Sequence, residues 1–385
     1  MPHDALVGAR IFDGDTIRDR SAVLIDGGRI AAIVPADAVP DDARRTDLGG
    51  GWLAPGFVDA QVNGGGGVLF NDDPSPEGIA AIAAAHRRFG TTALLPTLIT
   101  DGPAVMAAAI AAVAVGSVPG VIGLHLEGPH LAPARKGAHL AELMRPLGDD
   151  DVEALIAAQA RVGLLMLTLA PEQAPPALIR RLADAGIVVS LGHSDASYDD
   201  AVAAFAAGAR CATHLFNAMS PLGHRAPGLV GAALDAGDVW CGVIADGHHV
   251  HPASLAVAIR GKRGPGRCFL VTDAMSTVGA DGDSFVLNGR TARREDGRLV
   301  LGDGTLAGAD LDMASAVRFC TERLGVDVEE VLRMASRYPA EALGIGDRFG
   351  RIAAGRAADL VHLDDGLHVQ ATWIGGVRDG EAAPA

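Results

Sequence analysis

Residues 187–214 read IVVSLGHSDASYDDAVAAFAAGARCATH. The stretch opens on a short apolar run, Ile187–Leu191, of the kind that suits a strand buried on both faces. Beyond His193 an Ala-rich segment, Tyr198–Ala207, carries aspartates in its first turn and stops at Gly208, as helix capping favours. A second apolar run, Ala209–Thr213, then leads into His214. The order is strand, helix, strand, with an imidazole after each strand.

The same rhythm begins near residue 53 and repeats. Strands are expected at Phe57–Val62, Thr92–Leu95, Val121–Leu126, Gly163–Thr168, Ile187–Leu191, Ala209–Thr213, Val239–Ile244 and Cys268–Thr272. Helices are expected at Pro76–Phe89, Pro103–Val115, Asp151–Ala160, Pro176–Ala185, Tyr198–Ala207 and Pro252–Arg260. This alternation predicts an α/β fold, a closed (β/α)8 TIM barrel. An open doubly wound sheet is the rival. It lacks support, because no GxGxxG follows the first strand and Gly64–Gly67 leads into no phosphate-cradling helix pattern.

Outside the barrel the pattern changes. Residues 1–52 alternate short β-like runs (Ala5–Phe12, Ala22–Ile25, Arg29–Val34) with the hairpin signals Asp13-Gly14 and Asp26-Gly27-Gly28. The tail Gly350–Ala382 has the same character. We therefore expect a small discontinuous β-sandwich from residues 1–52 and 350–385, beside a barrel of residues 53–349. Within that barrel segment, a β-like loop at Ser284–Leu301 and helices at Asp310–Leu324 and Val328–Leu343 follow the eighth strand.

Composition agrees with a large folded core: 49% of residues are hydrophobic and 21% charged, which argues against wholesale disorder. A net charge of −15 disfavours nucleic acid and anionic lipid as partners. Neither a secretory signal nor a membrane-spanning run is evident. Cys211, Cys241, Cys268 and Cys320 lie in apolar segments without a CxxC, as in a cytoplasmic protein with reduced thiols.

Barrel chemistry sits at the carboxyl ends of the strands. There the chain places Gln61 and Asn63, Glu127, His193, His214, Asp246 with His249, and Asp273. One carboxylate and two imidazoles, Glu127, His193 and His214, form the ligand set of a catalytic ion that keeps an open position. Any one of them alone would read as a buried, hydrogen-bonded side chain. Asp273 suits a general base but reads equally as a structural cap. Asn217, Ala218 and Arg225 suit anion binding and read equally as a solvated loop; His139 and the His248-His249 pair share that ambiguity. His130, His224 and His251 read as loop histidines.

With these residues in view, the sequence resembles the amidohydrolase superfamily and, within it, the N-acetylglucosamine-6-phosphate deacetylase family. The resemblance runs nearly end to end. It is carried by Pro55-Gly56-Phe57-Val58-Asp59, by Gly123 to Pro129 (GLHLEGP), by Gly192-His193-Ser194 and by Thr213 to Met219 (THLFNAM). Ala245 to Val250 (ADGHHV), Val271 to Ala274 (VTDA), Thr305 to Gly308 (TLAG) and the tail Gly350…Gly355…Ala358-Asp359-Leu360 complete it.

The resemblance implies that Glu127, His193 and His214 ligate one divalent ion per subunit, zinc by preference, with Fe²⁺ or another divalent ion also compatible. It implies that Asp273 is the catalytic acid/base and that His139 helps polarise the scissile carbonyl. Substrate contacts would come from Ala138, Asn217, Ala218, Asp246, Gly247, His248, His249, Leu306, Ala307 and Gly308. Arg225 would bind phosphate in the neighbouring subunit's site, making a homodimer. Where many superfamily members carry His-x-His after strand one, this chain has Gln61-Val62-Asn63, and amides are poor metal ligands beside imidazole, so one ion is expected rather than two. The implied reaction is hydrolysis of the acetamide of N-acetyl-D-glucosamine 6-phosphate to glucosamine 6-phosphate and acetate, in amino-sugar catabolism or cell-wall recycling. The alternatives are an N-acetylgalactosamine-6-phosphate deacetylase or another amide hydrolase on this scaffold and, more distantly, a non-catalytic binding protein descended from an enzyme.

Overall fold

The computed structural model describes residues 4–116 and 118–381. Eight strands form one sheet in sequence order: β1 (Phe57–Val62), β2 (Thr91–Ile99), β3 (Leu124–Glu127), β4 (Leu165–Leu169), β5 (Val188–Leu191), β6 (Cys211–Ala212), β7 (Trp240–Val243) and β8 (Cys268–Leu270). Neighbours from β2 to β8 pair in parallel. Beyond β8 the chain returns to β1: the Asp273 N–H donates to the Gln61 carbonyl at 3.0 Å, and Ala274 bridges Val62 in parallel. The sheet is thereby drawn into the expected (β/α)8 barrel. Every residue of β1 to β8 is buried, which is why these strands read as largely apolar runs without a polar face.

Several elements depart from the expectation. The helix expected at Val328–Leu343 is broken at Ser336 into Val328–Ala335 and Arg337–Ala342. β2 continues past Leu95 through Pro96 to Ile99. Proline has no N–H to give a ladder, yet Thr97, Leu98 and Ile99 continue in parallel register with His125, Leu126 and Glu127 of β3, and on the other side the Thr97 hydroxyl accepts the Val62 N–H at 2.9 Å. A short helix, Gly228–Asp235, was not expected. Its glycines and small apolar residues carry no polar face, and six of its residues are buried, so periodicity could not reveal it. The helix after β5, Tyr198–Ala206, is capped as its sequence demands: Ser197 Oγ accepts the Asp200 N–H at 3.2 Å, and Gly208 turns the chain at φ 115°.

By packing the chain divides into two compact units, residues 4–59, 86–93 and 312–381 on the one hand and residues 60–85 and 94–311 on the other. The first unit contains the β-sandwich. One sheet has four strands, in the order Arg29–Pro35, Ser21–Asp26, Asp4–Val7, Arg44–Asp47. The other has six, in the order Val377–Arg378, Val369–Ile374, Leu360–Leu363, Trp52–Pro55, Arg10–Phe12, Ile17–Arg18. Antiparallel pairing of Leu360–Leu363 with Trp52–Pro55 joins the two ends of the chain. Leu6, Val23, Ile25, Ile30, Leu53, Leu360 and Trp373 form a common core from both sheets. The helices Met313–Leu324, Val328–Ala335 and Arg337–Ala342 fall in this unit.

In the second unit, Ser284–Leu287, Arg290–Glu295 and Arg298–Leu301 make a three-stranded antiparallel sheet. Its turns, Asn288-Gly289 and Asp296-Gly297, hold both residues at positive φ, the geometry that matches hairpin twist. One face packs Leu287, Ala292, Leu299 and Leu301 on Leu69, Ile99, Met275 and Ala307. Among the described residues no helix is long and apolar enough to cross a membrane, and the four cysteines are buried and unbridged.

Candidate active site

The carboxyl ends of the strands bring the polar residues together, all in the second unit. Glu127 is the last residue of β3; His193, His214 and Asp273 follow β5, β6 and β8 by two or three residues. Three of these stand at positive φ: His193 at 48°, His214 at 31° and Asp273 at 51°. Left-handed backbone at a residue other than glycine costs on the order of 1 kcal/mol or more, and such strain collects at functional sites.

Glu127 Oε1 lies 3.1 Å from His193 Nε2 and 2.9 Å from His214 Nε2, and the two nitrogens are 3.1 Å apart. His193 Nδ1 lies 2.9 Å from the Arg135 carbonyl, which only accepts, so Nδ1 carries the proton and Nε2 presents a lone pair. A bare nitrogen packed against a carboxylate oxygen and a second ring nitrogen is stable only with a cation or proton among them. Burial alone would raise the Glu127 carboxyl, but His193 and His214 hold it well below the ordinary carboxylate range. Burial would likewise lower His214, and the Glu127 carboxylate reverses this and raises it. The donor chemistry therefore fits one divalent ion, with a main-chain carbonyl fixing the tautomer of a ligand as metal-binding histidines require.

A third imidazole competes for that reading. His139 lies with Glu127 and His193 in a group whose ligand atoms fall within 4.8 Å of one another, and its Nε2 is 3.9 Å from Glu127 Oε2. Ligand atoms about 2.1 Å from a common tetrahedral ion stand roughly 3.4 Å apart. The His214 set meets that spacing more closely than the His139 set. Burial, reinforced by His193, pushes His139 down to about 3, so its ring is neutral.

Asp273 Oδ1 accepts from Asn63 Nδ2 at 2.6 Å and from Gln61 Nε2 at 3.1 Å; Gln61 Nε2 also reaches Glu127 Oε1 at 3.2 Å. The two amides after β1 thus tie the acid/base candidate to the ligand set. Burial, with the charge of Glu127, raises the Asp273 carboxyl to about 6, a value suited to taking and returning a proton near neutrality. Below the site runs a buried chain of side chains: Thr97, His125, Thr168, Thr213 and Ser190, linked at 3.3, 2.7, 2.7 and 2.6 Å. Burial drives His125 down to about 4 and leaves it neutral in that chain.

The cavity over these groups has a volume of about 390 Å³. Of the expected substrate-contacting residues, Ala138, Asn217, Ala218, His249, Leu306 and Gly308 line it beside His139. Asp246, Gly247, His248, Ala307 and Arg225 are not among its walls. Asp246 stands behind His249, with Oδ2 2.6 Å from the ring Nδ1 and Oδ1 accepting the N–H groups of His248 and His249. Ala307 is fully buried in an apolar cluster, and His248 is exposed. Gly308 has φ 70°, and a Cβ there would come 2.5 Å from the Met275 side chain. Arg225 is exposed and lines a separate surface cavity with Asp195, Tyr198 and Pro221. His251 caps the helix Pro252–Gly261, and His130 Nδ1 lies 3.1 Å from the Arg145 carbonyl.

Thr100, which lies 2.9 Å from His139 Nδ1, and Arg135, whose carbonyl orients His193, were not expected at the site. Nor was Arg290, whose guanidinium donates to the Ala138 carbonyl. None carries a local signal, since each acts through a partner distant in sequence.

The model of the amidohydrolase family matches residues 52–383, and that of the NagA composite domain matches residues 5–53. An N-acetylgalactosamine-6-phosphate deacetylase of Shewanella sp. (strain ANA-3) is 42% identical over 96% of this chain and 94% of its own. The human N-acetylglucosamine-6-phosphate deacetylase is 39% identical over 93% of this chain and 91% of its own. Among solved structures, the N-acetylglucosamine-6-phosphate deacetylase of Pasteurella multocida superposes with a TM-score of 0.94 at 36% identity, covering 98% of this chain and 100% of that one. A variant of the Mycobacterium smegmatis N-acetyl-D-glucosamine-6-phosphate deacetylase, in complex with N-acetyl-D-glucosamine-6-phosphate, gives 0.90 at 34% identity, with 98% and 99% covered. From its barrel, its convergent strand-end residues and these matches, the chain belongs to the amidohydrolase family.

Proposed function

We propose that the chain hydrolyses the acetamide of N-acetyl-D-glucosamine 6-phosphate to D-glucosamine 6-phosphate and acetate, using one divalent ion per subunit. The observation that carries this reading is the convergence of Glu127, His193 and His214 within 3.1 Å, with Asp273 tied to the same point through Gln61. The names of the relatives above supply the substrate. Zinc suits one carboxylate and two imidazoles, and Fe²⁺ is compatible.

When bound, the ion supplies Lewis acidity to the scissile carbonyl and a lowered pKa to water. Asp273 removes the proton of the attacking water and delivers it to the nitrogen as the C–N bond breaks. His139 donates a hydrogen bond to the developing oxyanion. Asn217, Ala218, His249 and the Leu306–Gly308 segment hold the sugar, and Arg225 of the partner subunit holds the phosphate in a homodimer. That remote binding orients the amide for attack. Residues 53–349 carry the chemistry, residues 1–52 and 350–385 form a supporting β-sandwich, and the setting is cytoplasmic amino-sugar catabolism or cell-wall recycling.

Acetate release from N-acetyl-D-glucosamine 6-phosphate tests the proposal. Activity is expected to disappear with chelation and to return with a divalent ion. Asp273→Asn is expected to lose on the order of a thousandfold or more in kcat, in keeping with the usual range for general acid–base catalysis, while keeping its metal. Turnover by metal-free protein, or wild-type turnover in the variant, would overturn the assignment. The Shewanella relative's name favours a second reading, the galacto-configured substrate; comparing kcat/KM on both 6-phosphates separates the two.

A further inference from the structure

Thr100 lies just beyond β2 and is buried. Its side chain and its main chain both address one atom. The hydroxyl Oγ1 is 2.9 Å from His139 Nδ1, and the Thr100 peptide N–H donates to the same nitrogen at 3.3 Å. A hydroxyl can turn its proton to suit its neighbour. A peptide N–H cannot, because the planar amide fixes the direction of its hydrogen. A hydrogen bond from that N–H requires a lone pair on Nδ1. A neutral imidazole with a bare Nδ1 carries its proton on Nε2.

We infer that Thr100 is a positioning residue that fixes the tautomer of His139, keeping Nδ1 bare and Nε2 protonated. The hydroxyl completes this setting. With a lone pair facing it at 2.9 Å, it gives its proton to Nδ1, and the Glu127 carbonyl at 3.2 Å is its weaker alternative acceptor. Nε2, on the side of the ring towards Glu127 Oε2, then faces the site as a donor. The consequence separates two roles. An imidazole with a protonated Nε2 cannot ligate through that atom, so His139 is excluded as a metal ligand despite lying within 4.8 Å of the group that includes Glu127 and His193. The same proton is what a carbonyl oxygen gaining negative charge requires. His193, whose Nδ1 faces the Arg135 carbonyl, is set to the opposite tautomer. Neighbouring rings with centroids 4.4 Å apart are thus assigned different tasks by the partner on the far nitrogen.

This inference rests on the deacetylase reading for its kinetic arm only. The test is two-bond ¹H–¹⁵N correlation of the histidine rings in the intact protein, with assignment by His139→Gln, alongside kinetics of Thr100→Val and Thr100→Ser. In the wild type, Nε2 of His139 is expected to show the protonated signature and Nδ1 the bare one. Thr100→Val keeps the peptide donor and the side-chain volume but removes the hydroxyl. With only the longer 3.3 Å peptide bond left, the tautomer with a bare Nδ1 is expected to remain the major one while a detectable fraction of the other appears, and kcat is expected to fall roughly 10- to 100-fold, the scale for losing an outer partner of a metal-binding histidine, with KM and metal content little changed. Thr100→Ser is expected to restore both readouts. A protonated Nδ1 in the wild type overturns the inference, as does a Val variant with wild-type spectrum and kcat. If the wild type hydrolysed neither hexosamine phosphate, the functional reading would fail while the ring spectra still decided the tautomer.

Discussion

Asp273 is a carboxyl group held out of water near a second carboxylate, and both effects disfavour its charged form. Its pKa stands at about 6, raised by burial and then by Glu127 from an ordinary value of 3.8. For an acid raised on folding, the folded state binds the proton more tightly than the unfolded chain. The penalty is absent below the unfolded value, grows as pH rises from there, and is complete above the folded one. At 1.36 kcal/mol per pH unit it reaches roughly 3 kcal/mol. Asp273→Asn retains an oxygen for the Asn63 and Gln61 amides but carries no charge. It is therefore expected to stabilise the metal-free protein by roughly that amount at pH 8 and by only about 0.6 kcal/mol near pH 4. Denaturant titration at the two pH values measures this, and an equal effect at both would show that charge is not its origin.

At this scale the convergence of Glu127, His193 and His214 was legible because each follows a largely apolar run: Leu126 precedes Glu127, Thr213 precedes His214, and Gly192 alone separates Leu191 from His193. His139 lies on an irregular loop beyond the 3-10 turn Pro133–Arg135, so no periodicity singled it out, and only the resemblance gave it a role. Thr100 was invisible for a different reason. A threonine ending a buried strand is commonplace, and its meaning depends on a ring 39 residues away. Nor did anything in the sequence announce left-handed backbone at His193, His214 and Asp273, since glycine is the usual marker of that conformation.

Among the elements, the helices with proline or aspartate in the first turn were recovered, including the wholly apolar Pro103–Ala114, while Gly228–Asp235, which opens on glycine, was not. β2 was expected to end before Pro96 because proline lacks a ladder donor, and the pairing with β3 that carries the strand on to Ile99 belongs to tertiary structure. The three-stranded sheet at Ser284–Leu301 was legible only as β character; its contribution to the site comes from its first turn and its middle strand. Arg290 donates to the Ala138 carbonyl, and Asn288 Nδ2 reaches the same oxygen at 3.5 Å, so the turn and the strand behind it hold the loop that carries His139. Arg290→Leu removes a charge-assisted hydrogen bond worth about 1.5–3 kcal/mol. It is expected to lower kcat/KM on the order of tenfold or more, with metal content unchanged and partial recovery in Arg290→Lys. Loss of bound metal in parallel with activity would instead place Arg290 in support of the ligand set.

For the molecule as a whole, the joining of both chain ends in one sandwich was legible, because the first and last segments share a turn-rich β character unlike the barrel between them. How an acidic chain of net charge −15 binds a phosphorylated sugar was less so. Of the basic groups at the cavity, Arg135 is already paired with Asp195 at 2.7 Å, and His139 is neutral. Arg225 is exposed and lines a different cavity of its own subunit. The phosphate contact proposed above for Arg225 of the partner subunit would resolve this, and it makes a prediction that an arginine acting within its own chain does not. Arg225→Ala and Asp273→Asn are each expected to be nearly inactive on the 6-phosphate at low substrate concentration. In a heterodimer of the two variants, the Arg225→Ala subunit keeps its Asp273 and receives an intact Arg225 from its partner, so one of the two sites is whole. Random reassortment of a symmetric dimer would then restore about a quarter of wild-type activity. Dissociating and reassociating an equimolar mixture measures the recovery. Activity no higher than the mean of the separate variants, with heterodimers shown to have formed, would place the phosphate contact within a single subunit.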